Sequence, residues 1–147
     1  MDILASIGEL ETKETQLRGK PITLRAVTAL ESAQLEKQYP RPRPQGALTP
    51  EQRLAEENHP AFVARLTRYM ATRRCILVAI AAGGAITLDG APWNLSRDAE
   101  WLEKLADAMQ AKLTEAEILE LYAAVVELCQ PIKPAETVIG TGTSAGN

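Results

Sequence analysis

Apolar side chains recur at steps of three and four residues between His59 and Gly84, in the stretch HPAFVARLTRYMATRRCILVAIAAGG. This spacing places side chains on one face of an α-helix. Pro60 suits the first turn of a helix, and Gly83-Gly84 supplies the backbone freedom that ends one. The pattern therefore predicts one central helix, interrupted on its apolar face by an arginine alone. The face consists of Phe62, Leu66, Tyr69, Met70, Arg73, Ile76, Leu77 and Ile80.

The beginning of the chain has the alternation of a β-hairpin. Residues 9–17 are followed by RGKP and then by ITLRAV, which places Ile22, Leu24 and Ala26 on one side of a strand. Two strands alone are marginally stable, so we expect the hairpin to lie on helices rather than to join the sheet of another chain. The predicted fold class is mainly α with a small N-terminal β-hairpin at about residues 9–27, an α+β protein.

Three threonines are each followed, three positions later, by Glu or Gln, the pattern of a helix capping box. A helix is predicted after each threonine, and a further helix after Ser96 as N-cap. The boxes are Thr28 with Glu31, Thr49 with Gln52, and Thr114 with Glu117.

The helix after Thr28 is predicted to turn Leu30, Ala33 and Leu35 inward and to stop by Tyr39. It stops there because the prolines of PRPRP at 40–44 forbid continuation. We interpret PRPRP as a spacer, with recognition by a proline-binding partner as the alternative. Ile86 and Leu88 indicate a third short strand or a packed loop.

The last two predicted helices are amphipathic and follow each other with almost no loop. The first should bury Leu102, Leu105, Met109 and Leu113, and the second Ile118, Leu121, Tyr122, Val125, Leu128 and Cys129. Beyond residue 130 the periodicity is lost and Pro, Gly, Ser and Thr dominate. We therefore predict a helical domain over residues 1–130 and a flexible tail or linker over residues 131–147.

Composition and charge narrow the function. The 147 residues are 46% apolar but include only two Trp, three Tyr and one Phe, so the core must be largely aliphatic. The apolar run 75–82 is too short to cross a bilayer and no signal peptide is apparent, which predicts a cytoplasmic protein without a membrane partner.

Residues 41–74 hold seven Arg against three Glu, whereas residues 89–147 hold four basic against ten acidic groups. A nucleic-acid surface would normally show a stronger basic excess, with Lys as well as Arg and with interleaved aromatics, so internal ion pairing is favoured over nucleic-acid binding.

The sequence offers little catalytic chemistry. Cys75 and Cys129 lack a CxxC partner and are predicted to be core thiols, and His59 is interpreted as a helix cap. No phosphate-binding loop, dinucleotide fingerprint, zinc-protease pair or nucleophile elbow is present in the sequence. We expect no catalytic residue, no cofactor and no metal, and thus a protein that is not an enzyme.

The succession GKPITLRAVTALESAQLEKQ, residues 19–38, resembles the N-terminus of tail assembly chaperones from long-tailed bacteriophages or related prophages and gene-transfer particles. The likeness extends in outline to the central apolar helix, the two later amphipathic helices and the tail, but not to PRPRP. It implies binding to the tape measure protein, recruitment of tail tube protein, residence in the host cytoplasm and absence from the mature virion. It also implies a longer form made by frameshifting, for which the tail would be a linker.

The candidate partner-binding residues follow from this resemblance and from helix-in-groove recognition. A homo-oligomer is also possible. The alternative functions are a small nucleic-acid-binding regulator that uses the Arg-rich middle, and a structural tail or connector subunit. The candidate residues are Arg65, Arg68, Arg73, Tyr122, Val138 and Ile139.

Overall fold

The computed structural model describes residues 2–46 and 48–131, and it confirms a mainly helical α+β fold with an antiparallel hairpin near its start. The candidate residues Val138 and Ile139, like the predicted tail beyond Pro131, lie outside the described residues. In chain order the elements are α1 Ile3–Ser6, β1 Thr12–Leu17, β2 Lys20–Arg25, α2 Ala29–Gln38, α3 Pro50–Glu57, α4 Pro60–Ala82, α5 Ala99–Lys112 and α6 Glu115–Leu128.

The predicted central helix is α4, which packs against α5, α6 and β2. Every residue of the run 75–82 is buried, so its C-terminal end is covered on all sides. Met70, placed on the buried face by the sequence pattern, is instead 44% exposed. It lies about 200° around the helix from the buried Thr72, on the side that α5 and α6 leave open.

The hairpin turns at Arg18 and Gly19, both of which have positive φ angles, of 53° and 81°. Two successive residues of this kind suit the twist of a two-residue hairpin loop. The strands pair from Thr12 opposite Arg25 to Leu17 opposite Lys20, and Ile22 and Leu24 are buried in the core. The first strand thus begins three residues later than predicted, and the preceding segment holds the short α1, which sequence reasoning missed.

All three predicted capping boxes are present, each with both reciprocal hydrogen bonds. His59 caps α4 as expected, because its Nδ1 accepts a hydrogen bond from the Ala61 N–H at 3.2 Å. The prediction of Ser96 as a cap was wrong. The cap of α5 is Asp98, whose Oδ1 accepts from the Trp101 N–H at 2.9 Å, while Ser96 lies in the preceding turn.

Helix α2 buries less than predicted. Leu35 is 1% exposed as predicted, but Leu30 is 67% exposed and Ala33 is exposed as well. The helix turns only a narrow side toward the core, and Leu30 lies about 140° around it from Leu35. The side next to Leu35 instead buries Gln38, at 9% exposure.

The segment between α4 and α5 is a packed loop rather than a third strand. A 3-10 turn, Gly83–Ala85, follows α4, and one isolated bridge joins Leu88 to Ala91. Two glutamines of α2 hold this loop: Gln34 donates to the Leu95 carbonyl at 2.7 Å, and Gln38 donates to the Asn94 carbonyl at 3.0 Å. Within the described ranges, no helix is both long and apolar enough to span a bilayer.

Candidate partner-binding surface

A groove of about 240 Å³ lies between α4 and α6, beside the junction of β2 and α2. Its floor is apolar, since Leu77 and Val125 are buried core residues, while Val126 is 38% exposed. We call it the α4–α6 groove. Its lining residues are Val27, Ser32, Arg73, Leu77, Tyr122, Val125, Val126, Cys129 and Gln130.

The groove brings together two of the predicted binding residues, Arg73 and Tyr122, from different helices. Both are half-buried. The Arg74 guanidinium lies 5.7 Å from the centre of the Tyr122 ring and makes a cation–π contact that holds the ring in place. Among the described residues, no carboxylate forms an ion pair with Arg73. Arg73 therefore offers a guanidinium at the edge of an apolar surface.

The other two described candidates, Arg65 and Arg68, do not line this groove. Arg68 reaches α5 instead, with Nε 3.7 Å from Glu103 and Nη2 4.0 Å from Asp107. Glu103 also accepts a hydrogen bond from the Tyr39 hydroxyl at 3.0 Å. These contacts join the Arg-rich middle of the chain to its acidic second half. Arg68 is 60% exposed, so the interaction is weak.

Arg65 lies at the N-terminal end of α4, where its guanidinium is 5.4 Å from the centre of the Phe62 ring. Phe62 also lines a second cavity, of about 540 Å³, formed by the proline-rich segment, α3 and α4. We call it the Arg-Pro pocket. It is lined by Arg41, Pro42, Arg43, Pro44, Arg53, Glu57, Phe62 and Leu66. Sequence reasoning missed it by interpreting PRPRP as a spacer, although the excess of arginine over residues 41–74 was a usable signal.

The prediction that both cysteines are core thiols was right for Cys75 and wrong for Cys129. Cys129 is the C-cap of α6 and keeps a helical backbone, with φ −87° and ψ −3°, so its side chain faces the groove as the periodicity predicts. It is exposed because the groove is open there. Its Sγ lies 3.4 Å from the Val27 backbone nitrogen and accepts that N–H. The thiol thus forms part of the groove's rim.

Two arginines of the hairpin attach it to α6 and α2, both of which contribute residues to the groove. Arg18 at the hairpin turn donates to both carboxylate oxygens of Glu117 and, through Nη2, to the Lys112 carbonyl at 2.9 Å. The bonds from Arg18, followed by that from the Thr114 N–H, lower the pKa of Glu117 from its usual 4.5 to about 2. Arg25 makes a similar two-bond contact with Glu31. The hairpin is thereby tied to the first turns of both α6 and α2.

Within the part of the chain that the structure describes, no group of three or more His, Cys, Asp or Glu side chains is placed to hold a metal ion. No protein-family model matches the chain, and comparison with curated proteins and with solved structures gives no significant match.

Proposed function

We propose that this protein is a tail assembly chaperone of a long-tailed bacteriophage or related particle, which binds the tape measure protein and helps to recruit tail tube subunits. The observation that carries the proposal is the α4–α6 groove, which places Arg73 and Tyr122 beside an apolar floor. The resemblance of residues 19–38 to such chaperones supplies the identity of the client. Neither catalysis nor a cofactor is part of the proposed role.

The groove suits recognition of an amphipathic helix. Such a helix presents apolar side chains at positions i, i+3, i+4 and i+7 to an apolar surface. Leu77, Val125 and Val126 form that surface here. The client helix also supplies a carboxylate, because Arg73 has no ion-pair partner among the described residues and a charge-assisted bond is about twice as strong as a neutral one. The preferred client segment is therefore an apolar helix with Asp or Glu along one margin.

Recruitment of tube subunits is assigned to the part of the chain after the groove. Gln130 lines the groove, so the chain continues from its edge. In the proposed longer form, a linker after the groove would keep a tube-binding domain close to the bound tape measure protein. It would thereby raise the effective concentration of tube subunits near that client. Reading the encoding DNA for a slippery codon run with an overlapping downstream frame tests the longer form.

The proposed function is tested by co-expression with the tape measure protein encoded beside this gene, followed by pull-down of the complex. The wild-type chain should keep the client soluble and co-purify with it. Val126→Asp places a carboxylate on the apolar floor of the groove, where it opposes apolar client side chains and competes for Arg73, and should weaken binding at least about tenfold, equivalent to ~1.4 kcal/mol. Leu95→Asp is the matched control, since Leu95 is 46% exposed and lies outside the groove.

Two results would overturn the proposal. One is the absence of any complex or gain in client solubility. The other is equal loss of binding with Val126→Asp and Leu95→Asp, which would remove the groove from the mechanism. Mass spectrometry of purified particles distinguishes a chaperone, which is missing from them, from a structural tail or connector subunit, which is retained.

A further inference from the structure

Residues 2–11 form an arm that buries none of its apolar side chains in its own chain. All the residues from Asp2 to Glu14 are exposed. Four large apolar side chains in this arm are more than two-fifths accessible: Ile3 69%, Leu4 81%, Ile7 62% and Leu10 45%. Isolated apolar side chains on a surface are ordinary, but a concentration of this kind marks a contact site.

The arm also has a charge of one sign. It contains three acidic residues, Asp2, Glu9 and Glu11, and no Lys, Arg or His. Its local structure is a single helical turn, in which the Asp2 carboxylate accepts the Leu4 N–H at 3.0 Å. Ile3 and Ile7 are four positions apart and so lie on one side of this turn. One turn is marginal in water, so the arm gains order by packing on a surface.

The Arg-Pro pocket has the opposite character. Three arginines, at positions 41, 43 and 53, line it against one acidic residue, Glu57, and none of the three forms an ion pair within the described ranges. Phe62 and Leu66 supply an apolar floor. Its volume of about 540 Å³ is within the roughly 300–1,000 Å³ typical of ligand pockets. Pro42 and Pro44 restrict the backbone of its wall, which lowers the entropy lost on binding.

We propose that residues 2–11 of one copy of this chain dock in the Arg-Pro pocket of a second copy. The three arm carboxylates complement the three pocket arginines, and the isoleucines and leucines of the arm pack on the half-buried Leu66 and on the edge of Phe62, which is itself 5% exposed. Because each copy carries one arm and one pocket, reciprocal exchange closes a two-fold dimer. The acidic, apolar arm fits this pocket better than a nucleic acid does. The Glu57 carboxylate would repel a phosphate backbone, and the apolar floor would not bind its charged groups. This dimer is independent of the chaperone function and of the α4–α6 groove.

The test is sedimentation of the full chain from about 1 to about 200 µM, a range that brackets the affinity of a small interface. The wild type should shift from monomer to dimer as its concentration rises, and added salt should weaken the shift. Ile3→Ser/Leu4→Ser/Ile7→Ser should remain monomeric throughout. So should the pocket variant Arg41→Glu/Arg43→Glu/Arg53→Glu. All six positions are exposed, so circular dichroism should show an unchanged fold.

Reversing the charges of the arm in one variant and of the pocket in another tests their complementarity directly. An arm variant, Asp2→Lys/Glu9→Lys/Glu11→Lys, should be monomeric alone, as should the pocket variant. Mixed, the two should form a heterodimer, because the lysine arm meets the glutamate pocket and the native arm meets the native pocket. A wild type that is monomeric at every concentration overturns the proposal, as does a dimer that survives in the arm or pocket variant. Loss of the dimer with Val126→Asp alone assigns it to the groove, and salt-dependent DNA binding by a monomeric wild type assigns the pocket to nucleic acid; either result also overturns it.

Discussion

Arg18 holds Glu117 with two parallel hydrogen bonds, from Nε to Oε2 at 2.8 Å and from Nη2 to Oε1 at 2.7 Å. A two-bond contact also joins Arg25 to Glu31, at 2.8 and 2.6 Å. Each glutamate is also the capping-box residue of its helix. Since Arg18 lies in the hairpin turn and Arg25 ends β2, the two ends of this strand are attached to the N-termini of different helices.

Glu117→Gln tests the electrostatic part of this attachment. The wild-type carboxylate has a pKa of about 2 when folded and 4.5 ordinarily. A lowered folded-state pKa stabilises the protein above the unfolded-state pKa, and that stability is lost as pH falls through the folded-state value. Urea unfolding should therefore show the variant less stable near neutral pH, with the difference from wild type shrinking between pH 4.5 and pH 2.

Gln also satisfies a capping box, as Gln52 does beside Thr49, so Glu117→Gln removes the charge and keeps the cap. Glu115→Gln is the matched control, because it removes a carboxylate from the same helical turn without removing an arginine contact. Equal pH profiles for the two variants would contradict a role for Arg18.

Gly19→Ala tests the hairpin turn. Gly19 has a φ of 81°, and a methyl group added at its Cα would meet no atom within 4 Å apart from those of its two chain neighbours, so the substitution costs backbone strain without a tertiary clash. We expect a loss of about 1–2 kcal/mol in the free energy of unfolding, the cost of a left-handed conformation for a residue with a Cβ. Gly8→Ala should change stability by less than about 0.5 kcal/mol, because its surroundings are equally open and its φ is not in that region. Equal losses of stability in Gly19→Ala and Gly8→Ala would show that the positive φ of Gly19 does not cause the cost.

Gln38→Leu tests the attachment of the loop to α2. Gln38 accepts a hydrogen bond from the Trp93 Nε1–H at 2.9 Å while it donates to the Asn94 carbonyl. Removing the amide leaves the indole N–H without its partner, at a cost of about 1–3 kcal/mol if water does not replace it. Unfolding followed by tryptophan fluorescence measures this cost. Gln34→Leu removes a more exposed bond and should cost less, and the reverse order would contradict the assigned roles.

The two thiols should differ in reactivity. Cys75 is 0% exposed, and burial raises the pKa of its thiol, whereas Cys129 is exposed. Dithionitrobenzoate should react rapidly with one thiol per native chain, and with the second only as the protein unfolds. The rapid phase should disappear in Cys129→Ala and remain in Cys75→Ala. Two rapid phases, or none, would contradict the placement of these residues.

The parts of the fold that were predicted from sequence depend on neighbouring residues. A capping box needs only a threonine and a Glu or Gln three positions later, so Thr28, Thr49 and Thr114 were identified correctly. The mistakes arose where packing decides the outcome. Leu30 satisfies the helical period, but no element covers its side of α2, and Cys129 faces a groove that is open at this point.

Local sequence patterns predicted only part of the candidate site. Arg73 was noticed as an interruption of an apolar stripe and Tyr122 as part of another stripe. That they line one groove depends on how α4 packs against α6, which no local pattern contains. The Arg18–Glu117 pair could not be predicted from local sequence patterns either, because its two residues are 99 positions apart in the chain.

Because α4 is covered unevenly, its two ends differ in their resistance to local unfolding. At about 1.5 Å per residue the 23-residue helix is roughly 35 Å long, and its complete burial is confined to residues 75–82. Backbone amides there should exchange with solvent hydrogen mainly through global unfolding, whereas those of the first turns should exchange through local fraying. Phe62 and Leu66 of the Arg-Pro pocket belong to the fraying end. An occupant of that pocket would therefore slow hydrogen exchange where the chain itself protects the helix least.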